Sequence, residues 1–276
     1  MSRPLNARPA FGITPERIAQ FERDGVLRLD GLISEDWARR AREAVLRPLS
    51  ALGLRVDGAW RLEGRPRPVW PATGLKPARD IGHRHPEVEA LLDEPGVAAW
   101  TDALLEGRGH DRTVYRRPQI LASLPNGDTW SPPQGWHTDL PRLTGGIRPG
   151  VQIFTFLEPV APRGGGTLVV AGSHRVLSGE ALRPRDVARR LRAAPFFRDL
   201  YAGRPYGDAL PAGETEGVPL KVVELTGRPG DAWIIDLRLL HAAAPNASDT
   251  PRLMVTHRFL RADLLPEVAA ALGWAV

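Results

Sequence analysis

Seven histidines and no cysteine leave imidazoles and carboxylates as the side chains able to hold a metal or move protons in this 276-residue chain. The histidines are His83, His85, His110, His137, His174, His241 and His257, and any one alone is an ordinary structural residue. Grouping is what singles out chemistry. Gly135-Trp136-His137-Thr138-Asp139 puts an imidazole and a carboxylate at i and i+2, and on an extended strand alternate side chains share a face, so both heads converge on one point. Such triplets arise often by chance, so this one needs a third partner. Much further along, Gly230-Asp231-Ala232-Trp233-Ile234-Ile235-Asp236 leads to Leu240-His241. The loop 244–249 between that strand and the one starting at Arg252 reads as a hairpin connection. Centred between Asn246 and Ala247, it would set His241 opposite Arg252 with both side chains on one side of the sheet.

Two histidines and one carboxylate on adjacent strands form the facial triad that binds Fe(II) in non-haem oxygenases and leaves positions open on the metal. A 2-oxo acid fills two of those positions and dioxygen takes the third. The far carboxylate of 2-oxoglutarate then needs a cation with two-pronged geometry, which is what an arginine supplies; Arg252 is placed for it. Other chemistries fare worse. The absence of cysteine excludes a disulfide framework, a thiolate metal site and a cysteine nucleophile. Ser173 has only its sequence neighbour His174 nearby, which argues against a serine hydrolase. His83-Arg84-His85 has the look of a cupin ligand pair, but Pro86 follows and disfavours a continuing strand. His257 alternates onto the opposite face from Arg252. Asp231 and Asp236 flank a buried strand as turn caps, and Trp136 and Trp233 are core or pocket walls.

The elements that must position these residues change in kind along the chain. Thr14-Pro15-Glu16 is a helix start, and the helix through Ile18 and Phe21 stops at Gly25. A short strand is expected over 26–29. Ser34 then caps a second helix with Trp37, Ala41, Ala44 and Val45 at helical spacing. Residues 60–85 have no period and read as a long loop, followed by short helices over 87–92 and 97–105. Beyond Asp111 the texture becomes strands, at 114–124, 151–157, 167–170, 221–225, 232–237 and 252–260, separated by Gly, Pro, Asn and Asp clusters. Short strands without long intervening helices predict an antiparallel barrel or jelly roll.

These motifs together resemble the phytanoyl-CoA dioxygenase-like branch of the Fe(II)/2-oxoglutarate-dependent oxygenases. The likeness runs through Ile13-Thr14-Pro15-Glu16, Phe21-Glu22-Arg23-Asp24-Gly25, Trp136-His137-Thr138-Asp139, the stretch Gly164-Gly165-Gly166-Thr167 to Gly172-Ser173-His174-Arg175, Pro229-Gly230-Asp231 and His241, with Arg252 at the family's spacing. The resemblance implies His137, Asp139 and His241 as iron ligands and Arg252 as the cosubstrate clamp. Gln119 resembles a glutamine that contacts 2-oxoglutarate in some members; otherwise it is a polar residue on a strand face. The cofactors implied are Fe(II), 2-oxoglutarate and dioxygen, and the reaction is hydroxylation of an unactivated C–H bond with decarboxylation to succinate. Halogenating relatives carry a small residue where Asp139 stands, so that outcome is disfavoured. Ala243 departs from relatives that place a serine two positions after the distal histidine. Two other classes stay open: a cupin-type metal-dependent isomerase or 2-oxoglutarate-independent dioxygenase, in which Arg252 has no evident role, and a noncatalytic metal-binding protein on the same fold.

The expected architecture is mainly β with flanking helices, a double-stranded β-helix of the cupin-like jelly-roll kind. It occupies residues 1–276 as one oxygenase domain. Residues 14–110 form a helical support and loop, 111–262 the β core with an insertion over 175–219, and 263–276 a C-terminal helix. Within the insertion a helical stretch over 186–193 and the aromatic run Phe196-Phe197-Arg198-Asp199-Leu200-Tyr201 read as a lid or as scaffold. As a lid, its arginines (183, 185, 189, 190, 192) would suit an apolar substrate bearing an anionic group; as scaffold, its aromatic end would pack on the barrel.

Net charge is +5, but all but two of the 37 basic residues are arginines, with Lys76 and Lys221 the exceptions. They lie scattered among acids, as in Glu22-Arg23-Asp24, on what reads as solvated helix surface. We therefore expect a small-molecule substrate and no nucleic-acid partner. Pro4, Pro9, Gly12 and Pro15 break the first twenty residues, and no apolar run approaches the ~18–20 residues of a membrane span. A cytoplasmic protein without membrane attachment is the expectation.

Overall fold

A computed structural model of the protein describes residues 10–51, 53–61, 85–125, 130–206 and 209–274. Helix α1, Pro15–Asp24, starts where extended Thr14 turns its hydroxyl onto the Arg17 N–H (3.3 Å) and ends at Gly25. Gly25 has a φ of 69°, and a Cβ there would sit 2.5 Å from the His174 ring, so this stop requires glycine twice over. Strand β1, Val26–Leu29, follows directly. Helix α2, Glu35–Ala51, is capped by the Ser34 hydroxyl, which accepts the Trp37 N–H at 3.1 Å while Glu94 holds Ser34 by its N–H and hydroxyl. A two-stranded ribbon, β2 Arg55–Val56 and β3 Ala59–Trp60, comes next. Helices α3, Pro86–Glu89, and α4, Pro95–Leu104, complete the N-terminal layer. Most of the long loop expected over 60–85, including His83, lies outside the described residues.

Two antiparallel sheets then carry the core. The larger comprises β1, β9 (Ala232–Asp236), β5 (Gly150–Phe156), β11 (Arg252–Leu260) and β4 (Gln119–Ser123) in that spatial order. The smaller comprises β10 (His241–Ala243), β6 (Thr167–Ala171), β8 (Val218–Glu224) and β7 (Ala212–Thr215). Strand alternation sorts three apolar layers. Leu253, Val255 and Ile153 face the N-terminal helices and pack with Trp37 and Trp100. Met254, Phe154 and Phe156 face the other way and meet Val169 and Leu225 of the smaller sheet. The outer face of that sheet, Leu168, Val170, Leu220 and Val222, is covered by Val187, Leu191, Phe197 and Leu200. Those residues belong to α5, Pro184–Leu191, and α6, Pro195–Tyr201, in the inserted segment. Helix α7, Leu265–Leu272, follows β11. This is the jelly roll with flanking helices that the strand texture predicts.

Three local expectations are corrected. The strand expected over 114–124 is confined to β4, because the Asp111 carboxylate accepts the N–H groups of Thr113 and Val114 at 2.9 Å and the Thr113 hydroxyl at 2.7 Å, bending the chain before it can extend. The segment carrying His137 and Asp139 is not a regular strand; it touches the smaller sheet at one isolated bridge, between His137 and His241. The hairpin pairing His241 with Arg252 does not form. His241 pairs with Val169, and Arg252 with Ser123 in the other sheet. Residues 244–251 cross between the sheets around fully buried Asn246, whose amide donates to the carbonyls of Ser123 (3.1 Å) and Thr250 (2.7 Å). Turn-forming composition marked the loop without marking which sheet the next strand joins.

Candidate metal centre

His137 and His241 are brought together by backbone hydrogen bonding, each donating its N–H to the other's carbonyl at 2.9 Å. Their ring centroids lie 4.3 Å apart. The Nδ1 of His137 is 2.8 Å from the Gly135 carbonyl and that of His241 is 3.0 Å from the Leu239 carbonyl. A carbonyl only accepts, so both Nδ1 atoms carry a proton, and in the neutral ring that a metal takes the lone pair then falls on Nε2. Those lone pairs flank Asp139, whose Oδ1 is 3.9 Å from His137 Nε2 and whose Oδ2 is 3.6 Å from His241 Nε2. All three donor atoms lie within 4.8 Å of one another, a set that one ion can join.

Burial and charge act on the two covered members of the set. For Asp139, burial works to raise its pKa, but His241 and Arg258 outweigh it and hold the carboxyl below its usual range. Burial lowers the pKa of His241, and the neighbouring Asp139 carboxylate opposes that shift. The side chain of His137 is 54% exposed, whereas Asp139 and His241 are largely covered, so the site opens on the His137 side.

Gln119 and Arg252 both face the interior, but only Gln119 is linked to the three. The guanidinium of Arg258 donates through Nε to Asp139 Oδ2 at 2.7 Å and through Nη1 to Gln119 Oε1 at 3.1 Å. It also stands 5.5 Å from the centre of the Tyr115 ring. An open cleft of about 310 Å³ lined by Tyr115, Arg116, Gln119 and Arg258 adjoins this group. Arg252 lies six residues back along the same face of β11. It is buried, with Nη1 3.6 Å from Met254 Sδ, no partner for Nε, and no acid paired with it among the described residues. Burial alone pushes its pKa down to about 10.

Two residues that hold the site together are not singled out by the sequence motifs. Arg258 had a signal, since the two-residue period of β11 places it on the face of Arg252. Arg142 had none, standing in an irregular stretch. Its buried guanidinium donates to the carbonyls of Ser173 (2.8 Å), His174 (3.2 Å) and Arg238 (3.4 Å), tying the chain after Asp139 to the chain before His241. Ser173 and His174 are structural: the Ser173 hydroxyl accepts the Leu240 N–H at 2.9 Å, and His174 Nε2 is 3.0 Å from the Glu22 carbonyl. His257 points to the helix layer, stacking edge-on to Phe259. Asp231 accepts turn N–H groups from Gly31 and Arg228, while Asp236 goes beyond a turn cap and pairs in the interior with Arg238. Trp136 is core beneath α5 and α6.

A family model described as "Phytanoyl-CoA dioxygenase (PhyH)" matches residues 21–254. No curated protein sequence matches the chain. Among solved structures, EctD from S. alaskensis with 2-oxoglutarate and 5-hydroxyectoine is similar at 18% identity and a TM-score of 0.56, over 95% of this chain and 80% of that one. AviO1 from Streptomyces viridochromogenes Tue57 is similar at 23% identity and a TM-score of 0.51, over 94% and 96%. The epimerase SnoN in complex with Fe3+, alpha-ketoglutarate and nogalamycin RO is similar at 17% identity and a TM-score of 0.53, over 90% and 83%. At these identities the likeness is one of fold.

Proposed function

Because this chain belongs to the phytanoyl-CoA dioxygenase family, we propose that it is an Fe(II)- and 2-oxoglutarate-dependent dioxygenase that hydroxylates an unactivated C–H bond of a small organic substrate. The observation that carries the reading is the convergence of two Nε2 lone pairs and one ionised carboxylate beside an open face. Two neutral imidazoles and a carboxylate fit Fe(II) as a donor set. In this reading residues 1–276 make one catalytic domain.

His137, Asp139 and His241 hold the metal. Arg252, a buried cation with no counter-anion among the described residues, receives the far carboxylate of 2-oxoglutarate through its two-pronged guanidinium. Gln119 has its carbonyl oxygen committed to Arg258, which leaves its amide N–H groups to donate to the cosubstrate. Bound Fe(II) supplies, with 2-oxoglutarate and dioxygen, an oxidant able to break a C–H bond, with succinate and carbon dioxide as the cosubstrate's products. The chain's own part is to hold the donors, orient both rings through their Nδ1 bonds to backbone carbonyls, and admit substrate from the His137 side. Arg116, on the wall of the cleft that Gln119 and Arg258 also line, would suit a substrate bearing an anionic group. SnoN is described as an epimerase, so C–H cleavage on this fold need not end in hydroxylation; product analysis decides that outcome here.

The test is anaerobic addition of Fe(II) and then 2-oxoglutarate to the full chain, followed by air and a succinate assay. A visible charge-transfer band should appear only on adding the 2-oxo acid, and Asp139→Ala should lose both the band and succinate release. Metal binding without a band would favour the cupin-type isomerase, and an Asp139→Ala variant with undiminished turnover would remove the triad from the reaction.

A further inference from the structure

We propose that Arg258 is a positioning residue that holds Asp139 as a one-oxygen metal donor by occupying its second oxygen. The inference rests on the triad reading above and goes beyond it. A carboxylate has two oxygens and can grip one ion with both. On a metal already carrying two imidazoles, a two-oxygen grip would use a position that a chelating 2-oxo acid and dioxygen need. Arg258 Nε donates to Oδ2 at 2.7 Å, a short charge-assisted contact, while Oδ1 remains on the His137 side, 3.9 Å from Nε2.

The guanidinium is itself fixed from three directions. Its Nη1 donates to Gln119 Oε1 at 3.1 Å, its central carbon stands 5.5 Å from the centre of the Tyr115 ring, and its backbone is locked in β11 opposite Gln152 of β5. The Arg258 and Asp139 side chains are only 18% and 14% exposed, so the pair is shielded from the solvent screening that weakens surface ion pairs. Gln119 thereby gains a second role, orienting the arginine that orients the ligand. Arg258 has no lone pair to offer a metal and sits six residues from Arg252, so neither coordination nor the cosubstrate clamp accounts for its place.

The experiment titrates the metal-free full chain with Mn(II), following free Mn(II) by electron paramagnetic resonance, and records the Co(II) ligand-field spectrum, both without 2-oxoglutarate. Arg258→Met should weaken Mn(II) binding by about 10- to 100-fold, the usual loss when a partner of a metal ligand is removed, and should shift the Co(II) bands as Asp139 changes its grip. Arg258→Lys should recover part of the affinity. Gln119→Leu should weaken binding several-fold, and it carries the test if Arg258→Met does not fold. Unchanged affinity with an unchanged Co(II) spectrum would overturn the assignment. Tighter binding would overturn it too, by making Arg258 a competitor of the metal. His137→Ala is the control: if it binds Mn(II) as well as wild type, the triad reading fails. If His137→Ala loses the metal while Arg258→Met keeps it, only the role of Arg258 fails.

Discussion

Arg252 and Arg258 are six residues apart on one strand face, yet their surroundings differ in kind. Arg258 meets a carboxylate, an amide oxygen and a ring; Arg252 meets a thioether, and its buried Nε has no acceptor among the described residues. A buried cation without a counter-anion is unfavourable until an anion arrives. Replacing Arg252 by lysine keeps the charge but loses the fork, forfeiting a charge-assisted bond of about 1.5–3 kcal/mol. The Michaelis constant for 2-oxoglutarate should therefore rise at least ~10-fold, with Mn(II) affinity unaltered. An unchanged constant would hand the far carboxylate to another residue. At this scale residue types were legible: His137-Thr138-Asp139, His241 and Arg252 could all be picked out. What could not be read was how His137 meets His241, since their two mutual backbone bonds join an irregular segment to a three-residue strand, and neither has a periodic signature.

The inserted helices show what element-level patterning can and cannot decide. Arginine content and the aromatic run left lid and scaffold equally open. The structure seats α5 and α6 on the outer face of the smaller sheet, with Val187, Leu191, Phe197 and Leu200 buried and Arg189 facing solvent at 76% exposure. Phe197 is fully enclosed and meets Phe196 edge to face at 5.3 Å. Phe197→Ala should lower the unfolding free energy by about 3–5 kcal/mol, the range for emptying a buried aromatic site, measured by urea denaturation. It should leave Mn(II) affinity in the surviving folded fraction unchanged. A loss below about 1 kcal/mol would mean the segment is only loosely seated on the sheet. Where a helix had a hydroxyl cap and a glycine stop, as at Thr14, Ser34 and Gly25, its ends could be read from the residues. Where side chains bonded the backbone locally, as at Asp111, β-forming residues gave way to a turn, and propensity alone misjudged the strand.

For the whole molecule, short strands punctuated by turn residues were enough to predict a mainly β jelly roll, but not the crossing at Asn246, because the same loop composition serves a hairpin or a change of sheet. The same closure of sheets and helices buries several ionisable groups, and this sets how the fold responds to acid. His257 lies between β11 and the helix layer, its Nδ1 without a partner among the described residues and its ring edge-on to Phe259 at 4.7 Å. Burial, reinforced by the positive charge of its neighbours and only partly offset by the Arg117 backbone, pushes its pKa down to about 4. In the unfolded chain the ring titrates near ~6.5. Between those two values the unfolded state binds more protons than the folded one, so stability is full above pH ~6.5 and falls as pH drops toward ~4. For this residue the loss from pH 7 to pH 5 is about 2 kcal/mol. His174, also lowered chiefly by burial, acts in the same direction. His257→Leu removes one titrating group from the layer. Whatever the substitution does to stability at pH 7, the further drop on moving to pH 5 should shrink by about 2 kcal/mol relative to wild type. Urea denaturation of both proteins at the two pH values measures that difference, and an acid loss in the variant equal to that of wild type would place the acid sensitivity of the fold elsewhere.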